Sequence, residues 1–444
     1  MRILLATINY RQIFLILAFS LILHYSLSKL GKRIPYCLYY QNDTTKLKEL
    51  GERRRQESVQ TIADIRQYRV KTGDTGPLFD RCHPCKLCVG VVSIARNEGS
   101  YLTQSVAAML SRTSWELQDE IRIFIHNINS PPEENREALD LKDLLFLKNV
   151  TYNPELNPET LSHAKPTLRE TLDYIATLEI LLESDCEYSL VVEDDALAAT
   201  NWAFDLLDML DSLDDDNLKP WIVLKLFSSF KWIPWFFGEN HAIFDVFQLL
   251  AATIVVVAVI IAIYWICVML FFHISRKDED FVEAFELPTG KLVEANILST
   301  IALSVTMGLF LYCAGKPNVV PYEDGVHSVS IGASAVANLY PRIGLKLLHE
   351  HLTREFVKLK SVGKLENMKN KDLYFRKLRN ELEKTNGVQY QELIRLPNLF
   401  QHIGVQTSLG KFSSHETTVV SPHFLDDDKA VRLDERVIKK TRSM

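Results

Sequence analysis

Apolar residues change their spacing several times along this chain, and each change marks an element. The longest unbroken run is VFQLLAATIVVVAVIIAIYWICVMLFF at 246–272, where Gln248 is the one strongly polar position. At about 1.5 Å rise per residue, such a helix is long enough to cross a hydrocarbon layer of roughly 30 Å with some tilt. A second run, ILSTIALSVTMGLFLYCAG at 297–315, predicts another span, its serines and threonines bonding the preceding turn of their own helix. The linker between them, 273–296, is polar and carries Arg276, Lys277, Asp278, Glu279 and Asp280, so the two runs form a hairpin that returns the chain to its starting side. A third run, IFLILAFSLILHYSL at 13–27, is flanked by Arg2 and Arg11 before it and by Lys29, Lys32 and Arg33 after it. No small-residue cleavage site follows, so a retained signal-anchor is expected rather than a cleaved signal peptide.

The remaining segments read as a folded domain. Residues 42–69 are charged and polar and read as an exposed helix or stem. A short apolar strand at 88–95 is followed by a turn at 96–100 and a helix at 101–110; a strand at 121–126 ends in Asn127-Ile128-Asn129-Ser130-Pro131-Pro132. A helix at 167–183 precedes a third strand at 188–192, and beyond the hairpin a helix at 343–358 carries the apolar stripe Leu345, Leu348 and Leu352. Lys371-Asp372-Leu373-Tyr374 opens a charged helix. Alternating strands and helices predict an α/β domain that binds its ligand beyond the carboxyl ends of parallel strands.

Composition narrows the class. With 47% hydrophobic and 24% charged residues the chain is neither disordered nor collagen-like, and a formal charge of -6 argues against a nucleic-acid partner. Of seven cysteines, Cys267 and Cys313 fall in the apolar runs, leaving Cys37, Cys82, Cys85, Cys88 and Cys186 for the soluble part. Cys82-His-Pro-Cys85-Lys-Leu-Cys88 has the spacing of a metal knuckle but lacks an evident paired cluster, so disulfides are expected ahead of zinc. The sequon Asn42-Asp43-Thr44 is a glycosylation candidate if the chain after the anchor is lumenal.

The strand at 188–192 runs directly into Glu193-Asp194-Asp195. Three adjacent acids repel one another, a cost offset when a divalent cation with its phosphate ligands neutralises them; the alternative is an ordinary acidic turn. Asp211-Ser-Leu-Asp-Asp-Asp216 reads instead as a solvated loop. His402, in Phe400-Gln-His402-Ile-Gly404, is either a structural histidine or a metal or phosphate contact.

These features together resemble the Golgi GPI-glycan N-acetylgalactosaminyltransferase family, a GT-A-type fold whose catalytic domain is interrupted by a tandem transmembrane hairpin. The resemblance runs over about residues 10–425 and rests on the N-terminal anchor, the Val91–Asn97 opening strand, Glu193-Asp194-Asp195, the inserted hairpin and the segment around His402. That segment also resembles the N-glycan-branching N-acetylglucosaminyltransferases, and the hairpin is what separates the two. The implied layout is a cytoplasmic tail at 1–12, an anchor at 13–28, a lumenal stem at 29–80, a first catalytic part at 81–245, spans at 246–272 and 297–315 around a cytoplasmic linker at 273–296, and a second catalytic part at 316–444.

The implied reaction is inverting, metal-dependent transfer of N-acetylgalactosamine from UDP-N-acetylgalactosamine to the first mannose of the GPI core. Mn²⁺ or Mg²⁺ would be held by Asp195 with Glu193 and His402, and Arg96, Asn97, Glu193 and Asp194 would face the donor. The base would be Asp372, with Glu323 and Asp324 as rivals; Tyr101 reads as core rather than as a stacking residue. The resemblance further implies a GPI-anchored protein or GPI glycolipid as acceptor, the bilayer as partner, and a multi-pass Golgi protein with lumenal catalytic segments. A branching N-acetylglucosaminyltransferase and an inactive GPI-protein-binding scaffold are the alternatives.

Overall fold

The computed structural model describes residues 18, 21–26, 28–30, 37, 44–96, 100–150, 166–213, 220–228, 242–275, 289–320, 324–329, 336–368 and 371–404. Two compact units divide the chain, one from residues 1–41 and 230–322, the other from 42–229 and 323–444. The sequence thus begins in the first unit, builds part of the second, returns to the first and then completes the second.

The larger unit is built on an eight-stranded sheet. In chain order its strands are β1 (Cys85–Ser93), β2 (Ile121–Asn127), β3 (Phe146–Asn149), β4 (Cys186–Glu193), β6 (Trp221–Lys225), β7 (Gly325–Val329), β8 (Ala337–Pro341) and β9 (Gln391–Leu396). Across the sheet they run β3-β2-β1-β4-β8-β6-β9-β7. The first four are mutually parallel, whereas β8 pairs antiparallel with both β4 and β6, and β7 pairs antiparallel with β9. The sheet is therefore mixed, and its post-hairpin strands β8, β9 and β7 insert beside or extend the strands made before the hairpin.

Both faces of the sheet are covered, which is why its central strands are apolar nearly throughout. Leu87, Val89 and Val91 of β1 point to one face, against Leu102, Val106 and Met109 of α2 (Tyr101–Ser111). On the other face Val191 and Tyr340 meet Leu178 of α3 (Pro166–Glu183), and Leu345, Leu348 and Leu352 of a helix at Arg342–Ser361 form the stripe expected from the sequence. Each fully buried leucine contributes about 1.5–3 kcal/mol, so these two layers dominate the stability of the unit. Two disulfides, Cys82–Cys85 and Cys88–Cys186, lie at the amino end of the sheet, the second joining neighbouring strands β1 and β4.

The segment read as an exposed stem departs from that expectation. Residues 44–72 form one helix, α1 (Thr44–Thr72), and Ile62 and Ile65 lie in the same buried cluster as Leu102 and Leu110. Arg69 Nη1 donates to the carbonyl of Asp143 at 2.5 Å, and Arg66 pairs with the Asp143 carboxylate at 2.8 Å. Two isoleucines in a polar helix are enough to seat it, because arginines at neighbouring turns satisfy loop carbonyls that would otherwise lose water.

The smaller unit is helical. Ala242–Ser275 and Thr289–Ala314 form two helices in contact, with Val257, Met307 and Leu311 buried between them. Thr253 lies 22 residues before the end of the first and Gly308 19 residues after the start of the second, and a Cβ on Gly308 would sit 3.5 Å from Thr253 Oγ1, so the pair runs antiparallel from its linker. Outward-facing Ile254, Val255, Val259 and Ile263 are exposed. Among the described residues, only Val246–Ile263, with mean hydropathy 2.9, qualifies by length and composition as a membrane span; the apolar part of the second helix is the shorter Thr300–Ala314. The two-span hairpin expected from sequence is thus one long apolar helix with a shorter one packed on it. Within 13–28, residues 18, 21–26 and 28 are helical, and the linker at 276–288 lies outside the described residues.

Candidate metal and active site

The acidic tripeptide sits where the sheet's parallel half ends. From Tyr188 to Val192 strand β4 is buried, and it emerges at half-buried Glu193. The chain then turns into a short strand β5 (Ala196–Ala198), which pairs antiparallel with β10 (Phe400–His402), Ala196 opposite His402. Ser105 of α2 and Arg112, which caps its C-terminus, hold β5 in place: Ser105 Oγ donates to the Ala196 carbonyl at 2.7 Å, and the Arg112 guanidinium donates to the Ala198 carbonyl. Trp202 packs edge-on to Phe400 at 5.3 Å between ring centroids, fixing β10 from the core side. This small ladder brings a histidine from near the end of the described chain onto the acidic motif.

The resulting geometry is tight. His402 Nε2 lies 3.2 Å from Asp195 Oδ2, the Ile403 N–H donates to the Asp195 carbonyl at 2.8 Å, and Glu193, Asp195 and His402 offer ligand atoms all within 4.8 Å of one another. Arg96, three residues past β1, reaches Asp194 Oδ1 at 2.5 Å and Asp195 Oδ2 at 3.0 Å, with its guanidinium 5.2 Å from the centre of the Tyr101 ring. Asp194 also accepts from the Ile94 N–H at 3.2 Å. On the far side Lys371 Nζ is 3.0 Å from Glu193 Oε1 and lies over Tyr174 of α3.

Burial and charge split the paired aspartates. Burial pushes the Asp194 carboxyl up to about 6, with Asp195 adding to the rise and Arg96 opposing it. Burial also acts to raise Asp195, but His402 and Arg96 outweigh it and hold this carboxyl below the usual range. The His402 imidazole is raised in turn: burial disfavours its charge, and Asp195 more than compensates. Asp195 therefore stays ionised well into the acid range, the state a cation ligand needs.

The residues fit a divalent cation. Asp195 Oδ1 is buried with no hydrogen-bond partner, which leaves a desolvated carboxylate oxygen to be satisfied. A Cβ at Gly404 would come 2.1 Å from Asp195 Oδ2 and 3.2 Å from His402 Nε2, so only glycine keeps that face of the carboxylate open. Two carboxylates and one imidazole are together a donor set that a divalent cation can take. The sulfurs of Cys85, Cys88 and Cys186 are also close together, but all three are consumed in disulfides and offer no thiolate.

Other candidates from the sequence are placed less centrally. Asp372 begins a helix, α-helical from Asp372 to Asn386, directly after Lys371, which touches Glu193; the Asp372 side chain itself lies outside the described residues. Asp324 is exposed at the start of β7, at the same end of the sheet but four strands from β4, roughly 19 Å across at about 4.8 Å per strand. Asn97, Glu323 and Asn42 lie outside the described residues. Tyr101 is half-buried, and Asp211 lies in the last turn of a helix at Trp202–Leu213, where it pairs with Lys86. Cys37 is buried and outside the disulfides.

Three contributors were not singled out from sequence. Lys371 and Gly404 are recognisable only through contacts distant in the chain. Asn129 accepts from the Ala95 N–H at 2.7 Å, within a set in which Asn135 bonds Ser93 and Asn127 at 3.0 and 3.2 Å. That set fixes the loop carrying Arg96; its one sequence signal is the asparagine-rich end of β2.

No curated protein matches the chain. The family model described as GPI-N-acetylgalactosamine transferase PGAP4 matches from Leu87 in β1 to Ala295, a stretch that includes Arg96, the acidic tripeptide and the long apolar helix and ends before His402. A domain of the GPI-N-acetylgalactosamine transferase PGAP4 family therefore spans residues 87–295 of this chain.

Proposed function

We propose that the protein transfers N-acetylgalactosamine from UDP-N-acetylgalactosamine to the first mannose of a GPI core, with inversion and dependence on a divalent cation. The observation that carries this reading is the Glu193, Asp195 and His402 donor set at the end of β4, two of whose members fall inside the matched family domain. A cation held there would neutralise negative charge developing on the departing diphosphate.

The chain's own residues supply the rest. Arg96, held beside the carboxylates, would place its guanidinium on the donor side, where it can pair with diphosphate oxygens. Lys371 holds Glu193 and so orients the carboxylate at the acceptor side. Asp372, next in sequence and in the first turn of its helix, is the base assigned to accept the mannose hydroxyl proton; the lateral offset of Asp324 makes it the weaker choice. Asn97 belongs with Arg96 on the donor side. A long apolar helix in the same chain would hold this chemistry near a lipid-linked acceptor, raising its effective concentration.

The test is a panel of UDP-N-acetylgalactosamine, UDP-N-acetylglucosamine and UDP-galactose with Mn²⁺, offered to the full chain with GPI-core or N-glycan acceptors. Product mass and linkage should show N-acetylgalactosamine on the GPI mannose. Transfer confined to N-glycans would replace the acceptor assignment, and no transfer by folded, metal-loaded protein would favour a binding scaffold. Asp195→Ala should lower turnover about 100-fold or more while leaving the melting temperature of the cation-free protein in place.

A further inference from the structure

A buried charge pair crosses the sheet away from the cation-binding residues. Lys225, the last residue of β6, places Nζ 3.4 Å from Glu392 Oε2 of β9, and the two residues are 3% and 2% exposed. Neither atom makes a hydrogen bond, and both amide atoms of buried Asn338 in β8 also lack one. Asn338 stands opposite Lys225 on one side and Val191 of β4 on the other. A buried pair recovers its desolvation cost only where hydrogen bonds satisfy its remaining donors and lone pairs, so this one is a poor source of stability.

Its position gives another reason for it. Residues in register, and alternate residues along a strand, share a face of a sheet, which puts Glu193, Asn338, Lys225 and Glu392 on the face covered by the helix at Asp372–Asn386. Lys225 Nζ lies over the Phe375 ring of that helix, 5.5 Å from its centre, and Phe375 stacks on Tyr340 at 6.2 Å between ring centroids. Lys371, just before the helix, reaches Glu193 at 3.0 Å. Residues 371 and 375 are one helical turn apart, so this turn is held at two points, on β4 and on β6, with Asp372 between them. An apolar side chain at 225 would pack against Phe375 without direction, whereas an ammonium anchored by Glu392 is drawn to the face of the ring.

We propose that Lys225 and Glu392 are a positioning pair for the reaction, fixing the first turn of this helix and with it the carboxylate assigned as the base. The consequence for catalysis rests on that assignment of Asp372; the fixing of the turn does not. Displacement of a reacting group by about 1 Å can lower a rate about 100-fold, which is how a pair that touches no substrate would act on turnover.

The variant to make is Lys225→Met with Glu392→Leu, which removes both charges at similar volume; either change alone would strand a buried charge and destabilise the protein whatever its role. In the folded full chain the melting temperature should equal or exceed the parent's. Amide hydrogen exchange in a peptide covering 371–376 should rise about tenfold or more, while exchange in β1 and β4 stays as it was. With UDP-N-acetylgalactosamine, Mn²⁺ and a GPI-core acceptor, kcat should fall about tenfold or more with Mn²⁺ affinity and donor KM unchanged. Unchanged exchange at 371–376, or unchanged kcat in a variant whose exchange has risen, would overturn the proposal. So would a lower melting temperature with exchange rising throughout the sheet, the signature of a purely structural pair. If the double variant does not accumulate, Phe375→Leu is read in the same way, with unchanged exchange at 371–376 again overturning the proposal. Asp372→Asn keeps the two failures apart: parent-like turnover there removes Asp372 as the base, and no transfer by the parent removes the reaction, whereas hydrogen exchange decides in either case whether the pair fixes the turn.

Discussion

At the scale of single residues, the site depends on one carboxylate whose two oxygens are treated differently. Asp195 Oδ2 is engaged by His402 and Arg96, and Oδ1 is buried without a partner, so the space beside it has to stay open. Gly404→Ala places a methyl 2.1 Å from that carboxylate and should weaken Mn²⁺ binding by about tenfold or more, read by metal titration of the folded protein. Unchanged affinity would remove Gly404 from the site. His126 makes a separate prediction in the core of β2. Its Nδ1 is 2.7 Å from Thr177 Oγ1, and burial, aided by Lys148, depresses its pKa to about 3. The unfolded chain takes up this proton near pH 6.5, so the stabilisation is fully present above that pH and is lost as pH falls from 6.5 toward 3, by at most about 1.4 kcal/mol per pH unit. Melting temperatures at pH 7.5 and 5 should therefore differ less for His126→Gln than for the parent. An equal difference would mean that His126 does not set the acid sensitivity.

At the scale of elements, two assemblies matter: the β5–β10 ladder that carries His402 to the acidic motif, and the seating of α1 on the core. The second is the more directly measurable. Ile65 is 2% exposed among core residues, so Ile65→Ala should cost about 2–5 kcal/mol and lower the melting temperature by several degrees. Val59→Ala, at a position 55% exposed on the same helix, should stay within about 0.5 kcal/mol. Equal effects at both positions would mean that α1 is the free stem its polar sequence resembles. The helix was legible from its charge pattern, but its docking was not, because two isoleucines among 29 residues carry little periodic signal.

At the scale of the whole molecule, the chain interrupts one folded unit with another. Strands β7, β8 and β9 come after the helical insertion, yet β8 lies between β4 and β6, made before it. A sheet completed from both sides of an insertion requires both flanks to be on one side of any membrane that the insertion crosses. A glycosylation sequon engineered into the exposed turn at 362–364 should thus be modified, and one engineered at 276–280 should stay bare. The reverse pattern, or modification at both, would sink the hairpin topology.

What the sequence determined by itself was everything set by local pattern. The apolar run of the long helix, the α/β alternation, the stripe at Leu345, Leu348 and Leu352, and the acidic tripeptide at the end of a buried strand are each contained in a few adjacent residues, where helix and strand periodicity are readable directly. The tertiary structure alone decided which distant groups meet: His402 and Gly404 on Asp195, Lys371 on Glu193, and Cys186 on Cys88. Those contacts depend on strand order and register, which arise from burying both faces of one sheet together and leave no mark in the spacing of residues along the chain.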